Sequence, residues 1–291
     1  MKIIECPRDA MQGIKTFIPT SEKVSYLQSL LDCNFDTLDL GSFVSPKAIP
    51  QMADTAQVLT DLDFSKTKTK ALVIVANTRG AKQAVTFPKV TYLGYPFSIS
   101  EIFQMRNTRK TIVESLETLS EILELAQTHQ KKVITYLSMG FGNPYGEPWN
   151  PKIVEKWVAK LVTMGVRTIS LSDTVGLAKL EDISSLLTHL IPMYPHVEFG
   201  VHLHTNPNQA TQKIEVAYEA GCRRFDGAIS GFGGCPMALD ALTGNMPTEQ
   251  VIEYLDKKGI LEQLSGFSTV AFQKSYKEAL TLFEKYTTTS S

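Results

Sequence analysis

Short apolar runs alternate with amphipathic stretches along the whole chain, and this alternation predicts strands joined by helices. Strands that alternate with helices pair in parallel, and eight such units in one chain predict a (β/α)8 barrel of the TIM-barrel class. The eight candidate strands are Lys2–Cys6, Thr37–Phe43, Ala71–Ala76, Val90–Pro96, Lys132–Met139, Thr168–Asp173, Glu198–His204 and Arg224–Ser230.

Helix signals occupy the segments between these runs. The segment Thr111–Thr128 has apolar residues at helical spacing, and Pro151 and Pro247 lie where helices are expected to begin. A further amphipathic segment, Phe267–Tyr286, predicts an extra C-terminal helix after the eighth unit. No linker or composition shift divides the 291 residues, so we expect one catalytic domain over residues 1–291, with a disordered tail at about residues 287–291.

Composition removes several classes of function. The formal net charge of −1 and the sequence pI near 6.5 give no basic surface for nucleic acid or for an anionic membrane. We find no long apolar run and no leader-like start, and therefore expect a cytoplasmic protein with no membrane partner. Four scattered cysteines, at positions 6, 33, 222 and 235, form no paired motif and indicate free thiols in a reducing compartment.

The His202 and His204 pair is the first sign of chemistry. Side chains two positions apart on a strand share a face, so both imidazoles can bind one metal ion. By spacing alone, the pair also fits ordinary hydrogen-bonded histidines. However, active residues of a parallel barrel lie at the C-terminal strand ends, where Asp9 also falls. A carboxylate with two imidazoles favours six-coordinate Mg²⁺ or Mn²⁺ over a structural zinc site, although a turn or helix cap also explains Asp9.

Five motifs then carry a resemblance to a known family. In order and spacing, the chain resembles the 3-hydroxy-3-methylglutaryl-CoA lyase family over nearly its whole length. The Arg-Asp pair and the His-x-His belong to a wider superfamily of metal-dependent Claisen-type lyases and synthases, whereas the second and last motifs are more particular to the lyases. The motifs are Pro-Arg-Asp-Ala-Met-Gln at 7–12, Gly-Ser-Phe-Val-Ser-Pro-Lys at 41–47, Ser-Leu-Ser-Asp-Thr-Val-Gly at 170–176, Val-His-Leu-His at 201–204 and Gly-Phe-Gly-Gly-Cys-Pro at 231–236.

The resemblance implies cleavage of 3-hydroxy-3-methylglutaryl-CoA to acetoacetate and acetyl-CoA in a retro-Claisen step. It implies a divalent cation, with Mg²⁺ or Mn²⁺ expected, and no organic cofactor beyond the coenzyme A substrate. The metal ligands that it implies are Asp9, His202, His204 and Asn245. Arg8 would stabilise the negative charge that develops on the thioester oxygen. Cys235 would protonate the enolate carbon from a mobile loop, although a small buried cysteine is the alternative.

Five further positions match the family's site less closely. Asp39 and Glu249 are expected to orient the metal ligands or Arg8, with Asp39 standing where the family has a glutamate. Asp173 is a candidate for removing the hydroxyl proton, and a helix cap is the competing interpretation. Lys47 and Arg106 are candidates for binding the coenzyme A phosphates, or they are solvated surface charges.

The chain also departs from the family pattern. Ala10-Met11 replaces the usual Gly-Leu, and the stretch from Cys235 to Asn245 is one residue longer than expected. These departures keep two alternatives open: a related synthase or aldolase that acts on a 2-oxo acid, and a non-catalytic relative. The expected partners are an acyl-CoA substrate and, as the assembly to test, a second copy in a homodimer.

Overall fold

A computed structural model describes residues 1–233 and 243–287 of the chain. Eight parallel strands close into a barrel in which each strand pairs with its neighbours in chain order, and the eighth pairs with the first. The strands are β1 (Lys2–Glu5), β2 (Thr37–Ser42), β3 (Lys70–Ile74), β4 (Val90–Ser98), β5 (Lys132–Ser138), β6 (Thr168–Asp173), β7 (Glu198–Leu203) and β8 (Arg224–Gly227). The predicted (β/α)8 barrel is therefore confirmed.

Helices follow the strands on the outside of the barrel. They are α1 (Pro7–Gln12), α2 (Thr20–Asp32), α3 (Thr55–Asp61), α4 (Thr78–Ala84), α5 (Glu101–Thr108), α6 (Ile112–Thr128), α7 (Pro151–Thr163), α8 (Leu180–Met193), α9 (Pro207–Glu219), α10 (Thr248–Lys257) and α11 (Thr269–Thr287). The extra C-terminal helix predicted from the sequence is α11. It packs on α2, where the Phe283 ring meets the Tyr26 ring edge-on with 6.0 Å between centroids. None of the described helices is both long and apolar enough to cross a membrane.

Seven of the eight strands differ from their predicted bounds by one to three residues at one or both ends, and only Thr168–Asp173 agrees at both ends. Two of these differences, in β7 and β8, lie beside the candidate residues. The predicted strand Arg224–Ser230 ends at Gly227, because the chain turns at Ser230, which has a φ of 57°. His204 lies just past β7 and forms an isolated antiparallel bridge with Asn245. The short helix α1, not predicted from the sequence, begins with Pro7 at a position that suits proline. It turns the chain immediately after β1.

The interior of the barrel is divided between apolar and polar side chains. Apolar and aromatic side chains of β3, β4 and β5 form one buried cluster, Leu72, Ile74, Tyr92, Ile134 and Tyr136. On the opposite side, β7 and β8 place His202, Arg224 and Asp226 in the interior. The Tyr136 ring meets His202 edge-on across the barrel, with 5.6 Å between ring centroids. A barrel interior is usually filled with branched apolar residues, so the polar half departs from the usual barrel interior.

Glu5 lies at the end of β1. It holds the connection between β8 and α10 to the barrel at both of its ends. Its side chain is fully buried, accepts a hydrogen bond of 3.0 Å from the Ile229 backbone nitrogen, and accepts another from the Thr248 hydroxyl. Burial raises the pKa of Glu5 from 4.5 to about 8, against the lowering effect of these two hydrogen bonds. The native protein therefore holds this side chain protonated at neutral pH.

This shift predicts a pH-dependent stability. In the unfolded chain Glu5 ionises near pH 4.5, whereas in the native protein it keeps its proton until about pH 8. Stability from this group is therefore fully present below the lower value and is lost as the pH rises through the higher value. In the native protein the free energy of unfolding should fall by a few kcal/mol as the pH rises to about 8, and Glu5→Gln should remove this fall. Urea unfolding of both proteins between pH 5 and pH 8 measures it, and parallel pH profiles would contradict the assignment.

Candidate metal centre and active site

The predicted metal ligands meet at the C-terminal end of the barrel. Asp9 lies on α1 directly after β1, and His202 and His204 come from the end of β7. Ligand atoms of these three side chains all lie within 4.8 Å of one another, and the His204 Nε2 is 3.8 Å from an Asp9 oxygen. The strand spacing therefore places both imidazoles beside one carboxylate, as the sequence predicts.

Asn245 completes this group through its backbone and its side chain. Its bridge with His204 sets it beside β7, and its amide nitrogen donates hydrogen bonds of 2.8 Å to Asp9 and to the Phe232 carbonyl. Both acceptors require a donor, so the amide orientation is fixed. The amide oxygen is then the atom that Asn245 would offer to a cation.

The charge states of these residues suit a divalent cation. Burial alone would raise the pKa of Asp9, but the Arg8 charge, the imidazoles and Asn245 lower it to about 2. Burial and the neighbouring His202 lower the pKa of His204 to about 4. At neutral pH, Asp9 is therefore an anion and His204 is a neutral base with a free lone pair. Burial also disfavours a charged His202, but Asp226 raises the pKa of that ring above its usual value.

Arg8 lies between two buried carboxylates. Its Nε and Nη2 bind Asp39 as a two-pronged pair, and its Nη1 donates to Asp9 at 2.8 Å. Asp39 is fully buried, and burial raises its pKa to about 6 even against the Arg8 charge, so it remains largely ionised at neutral pH. Asp39 thus contacts Arg8 directly, as its predicted orienting role requires. Planar pairs of this kind fix the guanidinium in place.

Gln12 is a member of this network that the sequence interpretation missed. Its amide nitrogen donates to Asp9 at 2.5 Å, and its amide oxygen accepts from the Arg8 Nη1 at 3.1 Å. The signal in the sequence is its spacing: residues three and four positions apart share one face of a helix. It could have been found only by recognising Pro7 as the start of α1.

Asp173 lies at the end of β6 with its oxygens already engaged. They accept hydrogen bonds of 2.8 Å from the backbone nitrogens of Leu177 and Ala178, and the buried Lys213 ammonium of α9 is 3.6 Å away. Burial raises the pKa of Asp173, and these nitrogens and Lys213 act in the opposite direction. Asp173 therefore holds the loop before α8, but it does not cap that helix, whose cap position is Lys179 with no side-chain hydrogen bond, so the helix-cap alternative is wrong. Its role as a base stays a prediction.

The remaining predicted residues lie near the same end of the barrel. Glu249, in the first turn of α10, accepts a hydrogen bond of 2.9 Å from the Ser230 backbone nitrogen and so holds the turn after β8. Lys47 is exposed in the loop after β2. Arg106 is exposed on α5, where its guanidinium lies 4.7 Å from the centre of the Tyr145 ring.

Cys235 lies outside the described residues, but the chain just before it is fixed against the metal centre. Gly233 has a φ of +95°, and an added Cβ there would lie 2.7 Å from the Asp9 carbonyl oxygen and 2.8 Å from the Asn245 amide nitrogen. Only glycine suits both the backbone angle and this close approach. The chain therefore passes directly over Asp9 two residues before Cys235.

Asp226 and Arg224 form a second group that the sequence interpretation missed. Asp226 pairs in register with His202 across β7 and β8, and its carboxylate lies 3.4 Å from the His202 Nδ1. Neighbours in register on parallel strands share a face, so an alignment of β7 with β8 would have predicted that Asp226 lies beside His202. The sequence alone does not give that alignment.

The fold and the site together define a (β/α)8-barrel protein in which a carboxylate and two imidazoles form one group beside an arginine at the C-terminal end of the barrel. Comparison with known proteins agrees, because residues 2–274 match the HMGL-like family. The chain belongs to this family.

Curated relatives of the chain are lyases. It is 32% identical over 266 residues to the mouse mitochondrial hydroxymethylglutaryl-CoA lyase, a match that covers 89% of this chain and 79% of that enzyme. It is 34% identical over 251 residues to the 3-hydroxy-3-isohexenylglutaryl-CoA/hydroxy-methylglutaryl-CoA lyase of Pseudomonas aeruginosa, covering 86% and 82%. A cytoplasmic 3-hydroxy-3-methylglutaryl-CoA lyase from rat is 32% identical, covering 89% and 75%.

Solved structures of similar proteins share the fold closely. The HMG-CoA lyase of Brucella melitensis superposes with a TM-score of 0.88 at 29% identity, covering 97% of this chain and 98% of that one. An HMG-CoA lyase from Acinetobacter baumannii, solved with coenzyme A and 3-methylmalate, also gives a TM-score of 0.88, at 28% identity and with 97% and 90% covered.

The geometry of the centre predicts the effect of removing one imidazole. We expect His204→Ala to weaken Mn²⁺ binding by about tenfold or more, because even residues that only support metal ligands have effects of that size. Titration of chelator-treated protein with Mn²⁺, followed by electron paramagnetic resonance, measures the affinity. The exposed His189, which faces Glu155 on the helical surface, provides the matched control His189→Ala. Equal affinities of His204→Ala and the native protein would exclude His204 as a ligand.

Proposed function

We propose that this chain is a carbon–carbon lyase that cleaves 3-hydroxy-3-methylglutaryl-CoA to acetoacetate and acetyl-CoA. The observation that supports this most is the joining of Arg8, Asp9, His202 and His204 into one buried group at the active end of the barrel. The relatives named hydroxymethylglutaryl-CoA lyase, and the one solved with coenzyme A, support the acyl-CoA substrate.

The reaction sets three demands on the site. The tertiary hydroxyl must lose its proton, the carbon–carbon bond must break, and the departing acetyl-CoA enolate must be stabilised and then protonated. Asp9, His202, His204 and Asn245 are the residues that would hold a divalent cation, with Mg²⁺ or Mn²⁺ favoured by the ligand types. When bound, such a cation lowers the pKa of the substrate hydroxyl and orients the substrate.

Arg8 is proposed to stabilise the developing enolate. Its guanidinium is permanently charged, and Asp39 and Asp9 hold it in one orientation before substrate arrives. A donor that is already oriented need not reorganise during the reaction, which is the main source of electrostatic catalysis. Gln12 adds a further contact to the same nitrogen that meets Asp9.

Cys235 is proposed to protonate the enolate carbon. Gly233 lies against Asp9, and Cys235 follows it by two residues in the sequence. The other three cysteines are fully buried, and burial raises the pKa of Cys33 and Cys222 to about 12, so none of these suits proton transfer. Lys47 and Arg106 remain candidates for contacts with coenzyme A. A cytoplasmic location and a homodimer likewise stay predictions of the sequence.

The decisive experiment is a product analysis. Purified protein with Mg²⁺ or Mn²⁺ should convert 3-hydroxy-3-methylglutaryl-CoA to equal amounts of acetoacetate and acetyl-CoA, and exhaustive chelation should abolish the conversion. Release of free coenzyme A from acetyl-CoA in the presence of a 2-oxo acid would instead identify a synthase. A panel of related 3-hydroxy-3-methyl acyl-CoAs then defines the acyl group that the protein prefers.

The role of Arg8 predicts that charge alone is insufficient. We expect Arg8→Lys to reduce kcat by roughly 10²–10³, the usual effect of losing one oriented donor to an oxyanion, because an ammonium cannot form the planar pair with Asp39. Steady-state kinetics measure the loss. Arg167→Lys, an exposed position before β6 at the opposite end of the barrel, is the control. Turnover near that of the native protein in Arg8→Lys would exclude the role.

The role of Cys235 predicts selective loss of activity. Cys235→Ala should fold and bind Mn²⁺ normally, yet lose turnover by about 10²–10⁴, the scale of a positioned acid. Thiol-directed alkylation should inactivate the native protein, and substrate analogues should protect it. Peptide mapping identifies the modified cysteine. Full activity of Cys235→Ala, or inactivation through Cys6, Cys33 or Cys222, would assign the proton to another group.

A further inference from the structure

A buried pair of opposite charges lies directly beneath the metal centre. Arg224 and Asp226 occupy interior positions of β8, and both are at most 2% exposed. The Arg224 Nε is 3.9 Å from one Asp226 oxygen, and the other Asp226 oxygen is 3.4 Å from the His202 Nδ1. The carboxylate therefore lies between the guanidinium and a predicted metal ligand.

The stability of the barrel does not explain this pair. Within residues 1–233 and 243–287, neither oxygen of Asp226 has a hydrogen-bond partner, nor do Nε, Nη1 and Nη2 of Arg224. Burying charges without hydrogen bonds is costly, and apolar residues of similar volume usually serve a core as well or better. A pair retained at such a position calls for a function other than packing.

The neighbouring strand is adapted to this pair. Gly200 on β7 lies beside Arg224, and a Cβ there would meet the Arg224 side-chain carbons at 2.7, 2.8 and 3.1 Å. The absence of a side chain gives the Arg224 stem its path through the interior. At its other end, the guanidinium lies 3.7 Å from Glu198, which itself pairs with Lys2. The line of charges thus runs from His202 to the opposite end of the barrel.

We propose that Asp226 is a positioning residue for His202 and that Arg224 is its counter-charge. A carboxylate that faces Nδ1 accepts a hydrogen bond from an N–H at that nitrogen, so the lone pair of the ring lies on Nε2 and is available to the cation. The 3.4 Å separation needs to shorten by only about 0.4 Å to reach an ordinary hydrogen bond. The proposal rests on the divalent cation of the proposed function and does not depend on the substrate.

Cys6 provides the competing arrangement. Its thiol sulfur, a His202 nitrogen and an Asp226 oxygen also lie within 4.8 Å of one another, so these three could themselves bind a cation. In that case the His202 Nδ1 would be a ligand and could not carry a proton. The two arrangements therefore exclude each other at this nitrogen.

Metal binding to variants tests the positioning role. Asp226→Asn should weaken Mn²⁺ binding by about 10- to 100-fold, and Arg224→Met by less. If Arg224 acts through Asp226, then adding Arg224→Met to Asp226→Asn should cause no further loss. Asp36→Asn, which removes a carboxylate paired with Lys70 at the other end of the barrel, should bind as the native protein does. Native affinity in Asp226→Asn, or additive losses in the double variant, would overturn the proposal.

Two further measurements complete the test. Asp226→Asn leaves Arg224 without its counter-charge, so the double variant, which lacks both charges, keeps the test valid if the single variant unfolds. In protein loaded with Co²⁺, a thiolate charge-transfer band that Cys6→Ser removes would assign the cation to Cys6 and contradict the proposal. If His204→Ala also binds Mn²⁺ normally, the metal centre itself is wrong. If Asp226→Asn binds Mn²⁺ normally and His204→Ala does not, the metal centre stands and only the positioning role fails.

Discussion

Balance of charge inside a closed barrel is the constraint on which the active end of this protein depends. Arg8 lies between Asp9 and Asp39, and one level below it Asp226 faces Arg224. Each of these carboxylates would be expensive to bury alone. The two guanidinium groups compensate these buried carboxylates at the end of the barrel where a cation and the substrate would bind.

The family pattern and the local spacing are enough to predict which residues meet at the centre of this site. His202 and His204 share a face because they are two residues apart on a strand, and Arg8 and Asp9 follow the strand that the apolar pattern predicts. The closed barrel brings these ends together, so eight strands in sequence order are enough to bring Asp9 near the histidines. These predictions need only the spacing along one strand or the position of a residue at the end of a strand.

The parts that the sequence interpretation missed depend on alignment between elements. Asp226 becomes relevant only when the register of β8 against β7 places it beside His202. From the sequence alone, Arg224 is most simply a surface charge. Its place in the interior becomes clear only because its side chain lies in the space that Gly200 leaves open. Gln12 requires the short helix α1, which is too short to have a clear periodic pattern. In each case the missing information is a distance between segments rather than a residue type.

Glu5 has a consequence for the length of the connection between β8 and α10. Because one side chain fixes both Ile229 and Thr248 to β1, the two ends of the connection between them stay at a set separation whatever its length. Lengthening a closed loop is inexpensive in entropy, about 0.6 kcal/mol for each doubling, so one additional residue costs far less. A change of one residue in the length of this connection is thus nearly neutral for folding, because Glu5 fixes the two ends and not the number of residues between them.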